Sequence, residues 1–471
     1  MQNIFTQIRS FSKEFWLLNL IQMIERLAYS ALVLQMAVYI SQKDIVGGLH
    51  WEHTTKGMIF FVWALVQNLI PVLTGGLADK FGRKNMIFIS IFFAIIGFYL
   101  FAFQREFTGV MTAAVFVGIG LGSFKPALQG LISNSMRDKF TSIGWGLNIM
   151  LINVAFFFAP ALSKYLEEIS WQIFFIVTGS ILIIIIPLLF LIKDDNDKIK
   201  NEPSITIKEI LIGVLRPQIL SFVIIMGGFA IIYMQFYETL PNFIYDWVDT
   251  SQVAKALNLP DYMLMTTSLG TMIDFKWLYT LNSSFIVLGV VTVSWLMSGV
   301  KLRYAIMFGI TTASLGLFVS GATQIGSMAV LGMLIYTLGE MITNPRYLEY
   351  MASLGTKSRR SVYLGYLNIS FAIGLAGGSL LGGFLYNEYS EKSTLAIRYL
   401  EAQQVDMTQI THSNAMDKVV QFTNTSIQES TSMLWDLYSP NKIWYIFLGI
   451  GIFSTLLIYL HSRIYHNQPL K

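Results

Sequence analysis

Charged side chains interrupt several of the most apolar stretches of this sequence. Glu25 and Arg26 are adjacent in one such stretch, Lys125 lies in a second and Glu340 in a third. An ionised group is costly inside a membrane, so it is retained where it pairs, binds a solute or carries a proton. Lys125 and Glu340 could hold the two ends of a zwitterion, or form a pair that protonation breaks. A static ion pair that fixes helix packing is the alternative, and it fits Glu25 and Arg26 better than the other two.

The composition indicates that most of the protein surface faces lipid. Charged residues make up 13% of the 471 residues, hydrophobic residues make up 54%, and the mean hydropathy is +0.57. Soluble proteins carry roughly a quarter charged residues. The chain has no cysteine, which excludes disulfides and thiolate chemistry, and its five histidines fall in predicted loops or at helix ends. We therefore expect no enzyme and no metal site. We also expect no nucleic-acid partner, since no basic run is interleaved with aromatics.

Twelve apolar stretches are each long enough to cross a bilayer core of roughly 20 residues. They predict an all-α membrane protein with two six-helix halves, 1–193 and 215–471, joined by a polar cytoplasmic linker at 194–214. The predicted spans are 15–40, 56–78, 85–104, 108–134, 141–165 and 171–193, then 215–238, 277–298, 303–323, 326–351, 361–387 and 442–464.

The distribution of Lys and Arg predicts the orientation of the helices. Basic residues are more frequent in the loops that share a side with the N-terminus, which predicts that both termini are cytoplasmic. The expected location is the inner (plasma) membrane, crossed many times. Two outer loops, 239–276 and 388–441, are long and mixed in polarity, and we expect short amphipathic helices in them.

The two halves also share a repeat. Gly120 and Pro126 of the fourth span recur as Gly339 and Pro345 of the tenth, while the tripeptide 147–149 recurs at 367–369 as Leu-Asn-Ile. Both offsets are close to half the chain length. A repeat of this kind favours a binding site between the halves near the bilayer midplane, reached by rocking one half against the other.

The segment 75–84 carries the most specific local motif, G-x-x-x-D-[RK]-x-G-[RK]-[RK], in the predicted loop between the second and third spans. Gly75 permits close helix contact, Asp79 can lie at the positive end of a neighbouring helix, and Gly82 permits a tight turn. Arg83 can bridge to a carboxylate, and Lys84 is a positive-inside anchor. The motif resembles the signature of the major facilitator superfamily, which implies the major facilitator fold and a conformational latch formed by these residues.

Further motifs resemble those of the proton-dependent oligopeptide transporter family. Segment 22–30 is similar to the family's first-helix E-x-x-E-R-F-x-Y-Y-G, and segment 120–127 to its G-x-G-x-F-K-P-N. Segments 152–155, 279–283 and 339–345 resemble its I-N-x-G, Q-S-L-N-P and G-E-x-x-x-S-P motifs. The likeness spans all twelve predicted helices in order.

The resemblance implies roles for individual residues. Arg26 and Lys125 would receive the carboxylate of a substrate, with Asn282 and Glu340 toward its amino end. Tyr29 matches a further pocket position, and Glu25, Glu238 and Glu340 are the implied proton carriers. The sequence departs from the family at Gln22, which cannot titrate, at Ser30 and Val33, and at Asn68, which stands where the family has a pocket tyrosine.

Together these features predict a monomeric secondary active transporter in the lipid bilayer, with protons as coupling ion and no other cofactor. Its leading function is proton-coupled symport of small peptides or related solutes that carry an amino group and a carboxylate. The alternative is a proton-antiporting exporter of amphipathic compounds. A membrane-embedded enzyme or a non-transporting sensor is the third class; the lack of any Ser/His/Asp grouping speaks against the enzyme, and the latch motif against the sensor.

Overall fold

The computed structural model describes residues 4–41, 47–49, 51, 53–136, 140–192, 206–267, 270–412 and 414–465. Twelve long helical segments dominate it. They are α1 (Lys13–Ser41), α2 (His53–Phe81), α3 (Arg83–Phe103), α4 (Phe107–Ser135), α5 (Thr141–Ile169), α6 (Trp171–Phe190), α7 (Pro217–Trp247), α8 (Phe275–Met297), α9 (Leu302–Gly321), α10 (Gly326–Ser353), α11 (Arg360–Ile373, Gly374–Gly378 and Ser379–Tyr389) and α12 (Lys442–Ile464).

The lengths and compositions of these helices agree with the predicted membrane fold. Within the described residues, eleven helices are long and apolar enough to cross a membrane. Helix α1, whose apolar sequence is interrupted by Asn19, Gln22, Glu25 and Arg26, is not among the eleven. The middle of α11 is a π-helical turn at Gly374–Gly378, which continues directly into Ser379–Tyr389.

Helix α7 is longer than predicted, and this corrects the first outer loop. The helix runs through Pro241 to Trp247, so the loop expected at 239–276 begins only after it. Leu240, Phe243, Ile244 and Trp247 are all buried, and their spacing places them on one helical face. Packing of this face outweighs the one backbone hydrogen bond that Pro241 cannot donate.

The outer segments contain short elements, one of them not helical. The first holds the helix Ser251–Ala256 and an antiparallel hairpin of β1 (Leu264–Thr267) and β2 (Gly270–Ile273), with Leu264 opposite Ile273. Among its described residues, the second holds three α-helices and one 3-10 turn, namely Lys392–Ala402, Met407–Gln409, Ala415–Thr423 and Ile427–Tyr438. The indole N–H of Trp247 donates to the carbonyl of Ser390 at 2.7 Å, which ties α7 to the second segment.

The predicted linker 194–214 lies partly outside the described residues, which resume at 206. Its described part is the helix Ile207–Val214, whose N-terminus is closed by a reciprocal capping box between Thr206 and Glu209. The Tyr366 hydroxyl of α11 donates to the Ile210 carbonyl at 2.6 Å. This helix therefore packs on the bundle, and the proposed division at 193 and 215 stays a prediction.

Both halves use the same close helix contact. A Cβ at Gly120 of α4 would collide with the backbone of Ala94 in α3, and a Cβ at Gly339 of α10 would collide with the backbone of Ala313 in α9. Gly97 and Gly316 are similarly pressed against the facing helices. Small residues are what lets helices approach this closely in a membrane. All these pairs share the offset of 219 that Gly120 and Gly339 already showed in the sequence.

The two predicted halves pack together at the end of the bundle where α2 and α4 end and α11 begins, which we call the latch end. Here a Cβ at Gly75 would collide with the Ser361 carbonyl, and one at Gly365 with the Pro71 carbonyl. The Ser142 hydroxyl of α5 donates to the Ser294 carbonyl of α8 at 2.7 Å. The latch end is thus closed by direct backbone contact between the halves.

Candidate functional site

The motif 75–84 joins the two halves at the latch end. Asp79 is buried; one of its carboxylate oxygens lies 2.8 Å from Arg83 Nε, and the other accepts the backbone N–H of Val362 at 3.0 Å. Val362 lies in the first turn of α11, so a carboxylate from the first half caps a helix of the second half. Arg83 also donates to the carbonyls of Lys357 at 2.8 Å and Gly130 at 3.4 Å.

The motif is not a loop, and this corrects the sequence prediction. Residues 75–81 belong to α2 and Arg83 begins α3, so only Gly82 stands between the helices. Its φ of +94° lies in the region that glycine tolerates, and a turn of one residue becomes feasible. Lys84 lies on α3 and donates to the Ile192 carbonyl at 2.8 Å.

In the interior, Glu25 and Arg26 of α1 satisfy each other. Arg26 donates from Nε and Nη2 to the two carboxylate oxygens of Glu25, each at 2.6 Å. The guanidinium also lies over the ring of Tyr29, 4.3 Å from its centroid. Glu25 is 1% exposed. A bidentate pair of this kind is already neutral overall, and it leaves only part of the Arg26 fork for a ligand.

Lys125 of α4 has a different environment. Its Nζ donates to the amide oxygen of Asn368 in α11 at 3.2 Å and lies 5.1 Å from the ring centroid of Phe371. Glu25 and Arg26 are within electrostatic range of it. Among the described residues, no carboxylate lies within ion-pair distance of Lys125. Its direct contacts are therefore a neutral amide and an aromatic face, while the Glu25 carboxylate acts on it only from a longer distance.

Glu340 of α10 is the negative counterpart. It is 4% exposed, and its carboxylate accepts the amide N–H groups of Asn282 in α8 and Asn344, each at 3.2 Å. Asn282 also donates to the Thr337 hydroxyl at 2.9 Å and accepts from the Tyr237 hydroxyl at 3.3 Å. Within the described part of the chain, no cation lies within ion-pair distance of Glu340.

Two tyrosines of α7 connect these groups. The rings of Tyr233 and Tyr237 are 4.9 Å apart, and the Tyr233 ring lies 6.1 Å from the ring of Phe371, which faces Lys125. The positive group on α1 and α4 and the negative group on α8 and α10 therefore border one interior region. We call it the central site, formed by Arg26, Tyr29, Lys125, Tyr233, Tyr237, Asn282, Glu340 and Asn368.

Two predicted residues are not brought into these contacts. Asn68 of α2 donates to the carbonyl of Ala64 in its own helix at 2.8 Å. Glu238 is exposed, and the Ser379 hydroxyl of α11 donates to it at 2.9 Å. Glu238 was also expected to end the seventh helix, which instead continues to Trp247.

Gln22, the main departure of the first-helix motif, belongs to a neutral network. Asn148 of α5 donates to the side-chain oxygens of Gln22 at 2.7 Å and Asn19 at 2.8 Å, and all three side chains are buried. An amide acceptor at position 22 keeps this contact between α1 and α5 free of any titrating group.

Sequence reasoning missed several members of the central site. Tyr233 and Tyr237 are four residues apart, as are Glu340 and Asn344, so each pair shares a helical face. Once one member of a pair had been selected, this four-residue spacing could have indicated the other member on the same helical face. The partnership of Lys125 with Asn368 had a weaker signal, since Asn368 stood out as part of the Leu-Asn-Ile repeat and as a polar residue in an apolar stretch, with no partner indicated.

Taken together, the membrane-length helices, the central site and the junction between the halves define a multi-pass membrane transporter. The sequence matches the Major Facilitator Superfamily over residues 18–378, and the chain belongs to that family. It is therefore a transporter and not an enzyme, and transporters of this family need no cofactor. Among the described residues, no group of three His, Asp or Glu side chains could hold a metal ion.

Relatives of known sequence include drug-resistance proteins. The multidrug resistance protein MdtH of Yersinia enterocolitica is 22% identical over 346 residues, which cover 73% of this chain and 80% of MdtH. The quinolone resistance protein NorA of Staphylococcus aureus is 25% identical over 198 residues, which cover 41% of this chain and half of NorA.

Solved structures with the same fold include a POT family transporter in complex with a thioalcohol-conjugated peptide. Its TM-score is 0.62 at 15% identity, and the alignment covers 96% of each chain. The fucose:proton symporter FucP of E. coli has a TM-score of 0.59 at 12% identity, covering 96% of this chain and 98% of FucP. At these identities the likeness shows the fold.

Proposed function

We propose that this transporter is a proton-coupled symporter of small solutes that carry both an amino group and a carboxylate, with short peptides as the reference substrates. The observation that carries the proposal is the pair of unbalanced charges in the central site. Lys125 and Glu340 lie on opposite halves, and each forms its direct hydrogen bonds with neutral side chains; among the described residues neither has an opposite charge within ion-pair distance. A zwitterionic solute would supply both missing counter-charges at once.

Each residue then has a stated role. Lys125 receives the carboxylate of the solute, while Glu340 and Asn282 receive its amino group. Arg26 and Tyr29 lie beside the carboxylate end of the solute, and Arg26 contributes there while it remains hydrogen-bonded to Glu25. Glu340, Glu25 and Glu238 are the candidate proton carriers. In support, a POT family transporter of the same fold has been solved with 5-aminolevulinic acid, a solute with both end groups.

The experiment is uptake of L-alanyl-L-alanine into proteoliposomes under an inward proton gradient. Lys125→Ala and Glu340→Gln are each expected to abolish most of the uptake, because each removes one counter-charge for the solute. The matched controls are Lys255→Ala and Glu401→Gln, the same changes at exposed positions of the outer segments, and they should transport normally. If both central-site variants transport like the wild type, the proposed site is wrong.

A second candidate function is proton-coupled export of amphipathic compounds. The observation that favours it is the likeness to MdtH, named a multidrug resistance protein, over most of both chains. Expression in a sensitive bacterial host distinguishes the two functions. An importer of peptides sensitises cells to toxic peptide analogues, whereas an exporter protects them from hydrophobic drugs.

The remaining features fit either direction of transport. We propose that 1–193 and 215–471 move as two halves, and that Gly75, Asp79, Gly82, Arg83 and Lys84 form the latch that holds them together at one end. The distribution of basic residues indicates that this end and both termini face the cytoplasm. We further propose that the protein acts as a monomer.

A further inference from the structure

Asn368 of the central site is the hydrogen-bond partner that connects Lys125 with the other half. The Lys125 Nζ of α4 lies 3.2 Å from the Asn368 side-chain oxygen, and Asn368 is 1% exposed. Phe371, three residues further along α11, turns its ring toward the same ammonium. Helix α11 thus offers the cation one neutral acceptor and one aromatic face.

The amide of Asn368 is held in the orientation that this contact needs. Its side-chain nitrogen donates to the carbonyls of Leu364 at 3.3 Å and Gly365 at 3.2 Å, within its own helix. The nitrogen is therefore occupied, and the oxygen is directed at Lys125. Since an ammonium group can only donate, this is the one orientation in which the two side chains bond.

The repeat shows that this is a special use of the position. Asn148 stands at the corresponding place of the Leu-Asn-Ile tripeptide in α5, and its amide donates to Asn19 and Gln22 within the first half. Asn368 instead accepts from a charged residue of the opposite half. One asparagine position therefore serves packing in one half and a charged contact between the halves in the other.

We propose that Asn368 is a specificity-determining residue that holds Lys125 in the empty site and releases it to the carboxylate of the solute. The inference rests on the proposed role of Lys125 as the carboxylate receptor. The bond to Asn368 has one charged partner, whereas a carboxylate brings a second, opposite charge whose attraction to the ammonium is strong away from bulk water. An anionic solute therefore displaces the amide, whereas water or a neutral solute exchanges with it at little gain. Binding of an anion then breaks a contact between the halves.

The test compares Asn368→Asp with Asn368→Leu, which are similar in size and opposite in consequence. The aspartate forms an ion pair with Lys125 that the solute must break, so L-alanyl-L-alanine should bind about tenfold more weakly or worse. The leucine removes the competing acceptor, so the dipeptide should bind at least as tightly as to the wild type. The measurement is calorimetric titration of purified protein, with the melting temperature of each variant recorded beside it.

Two outcomes overturn the inference. If both variants weaken binding together with a loss of melting temperature, Asn368 serves packing alone. If neither changes binding, Asn368 does not compete with the solute. A Lys125→Ala background provides the coupling control, because without the ammonium the difference between aspartate and leucine should vanish.

A second readout separates failure of this inference from failure of the proposed function. Spin labels at Asn85→Cys and Ser353→Cys, two exposed positions near the latch end on different halves, report the separation of the halves in a chain with no native cysteine. Asn368→Asp should narrow the distance distribution toward the closed form without any ligand. If that occurs while the wild type binds no dipeptide, the contact between Lys125 and Asn368 is upheld and the proposed solute class is wrong. An unchanged distribution counts against the contact itself.

Discussion

Replacing Asp79 by alanine is expected to open the latch end. In the closed arrangement the Asp79 carboxylate accepts from Arg83 and from the Val362 N–H of α11. Asp79 and Arg83 are both in the first half, so their pair survives when the halves separate. The bond to Val362 joins the two halves and does not survive. Of these two Asp79 bonds, only the second contributes directly to the difference between the closed and open arrangements.

The expected change in the ratio of closed to open molecules follows from the loss of the bond to Val362. A hydrogen bond to a charged group contributes roughly 1.5–3 kcal/mol. Because 1.4 kcal/mol is about a factor of ten in an equilibrium constant, the ratio of closed to open molecules should fall by roughly ten- to a hundredfold. Loss of the Arg83 partner adds a general cost, since an unpaired buried charge is destabilising, although Arg83 keeps the Lys357 and Gly130 carbonyls as acceptors in the closed arrangement.

The assay is pulsed electron paramagnetic resonance with spin labels at Asn85→Cys and Ser353→Cys. Asp79→Ala should raise the ratio of long to short distances by roughly ten- to a hundredfold. The matched control is Asp406→Ala, because Asp406 also accepts a backbone N–H, that of Thr408 at 3.0 Å, but in an outer segment. A distribution that Asp79→Ala leaves unchanged would refute the reasoning, and an equal shift in Asp406→Ala would show that the effect is unspecific.

Three further predictions concern packing, coupling and topology. Gly365→Leu should lower the melting temperature, because the new side chain collides with the α2 backbone and overpacking costs about 1–3 kcal/mol. The control Gly377→Leu should not lower it, because nothing lies within 4 Å of a Cβ at that position. Equal melting temperatures for the two variants would contradict this prediction. Gln22→Glu should add a pH-dependent step to uptake, because it places a titrating group in the neutral network, and a pH profile that stays as in the wild type argues against it. An impermeant maleimide should label Gln403→Cys in intact cells and Ser353→Cys only after permeabilisation; the reverse pattern would invert the proposed topology.

The sequence was sufficient for the membrane fold because hydrophobic length is a direct physical requirement of the bilayer. It failed at the outer end of α7, where the mixed polarity of 239–276 predicted a loop although the helix continues to Trp247. The apolar residues at 240, 243, 244 and 247 carried the opposite signal, and burial of that face determined the outcome.

The charged residues of the central site were also readable, because a charge in an apolar stretch is costly and therefore conspicuous. Their partners were less so. An asparagine has no such cost signal, and whether Asn368 meets Lys125 depends on how two distant helices pack. The pairing of Glu25 with Arg26 illustrates the same limit, since adjacency in sequence did not reveal that both carboxylate oxygens would be engaged.

The π-helical turn of α11 has a mechanical consequence for this helix. The segment before the turn contains Asn368, and Asp79 caps its N-terminus. The segment after the turn contains Ser379, which donates a hydrogen bond to Glu238. A wide turn interrupts the regular hydrogen-bond ladder, and helices bend more readily at such places. Gly377 in this turn has open space around it. We therefore expect α11 to bend at this turn, so that a displacement of its outer segment is passed only in part to the segment that Asp79 caps.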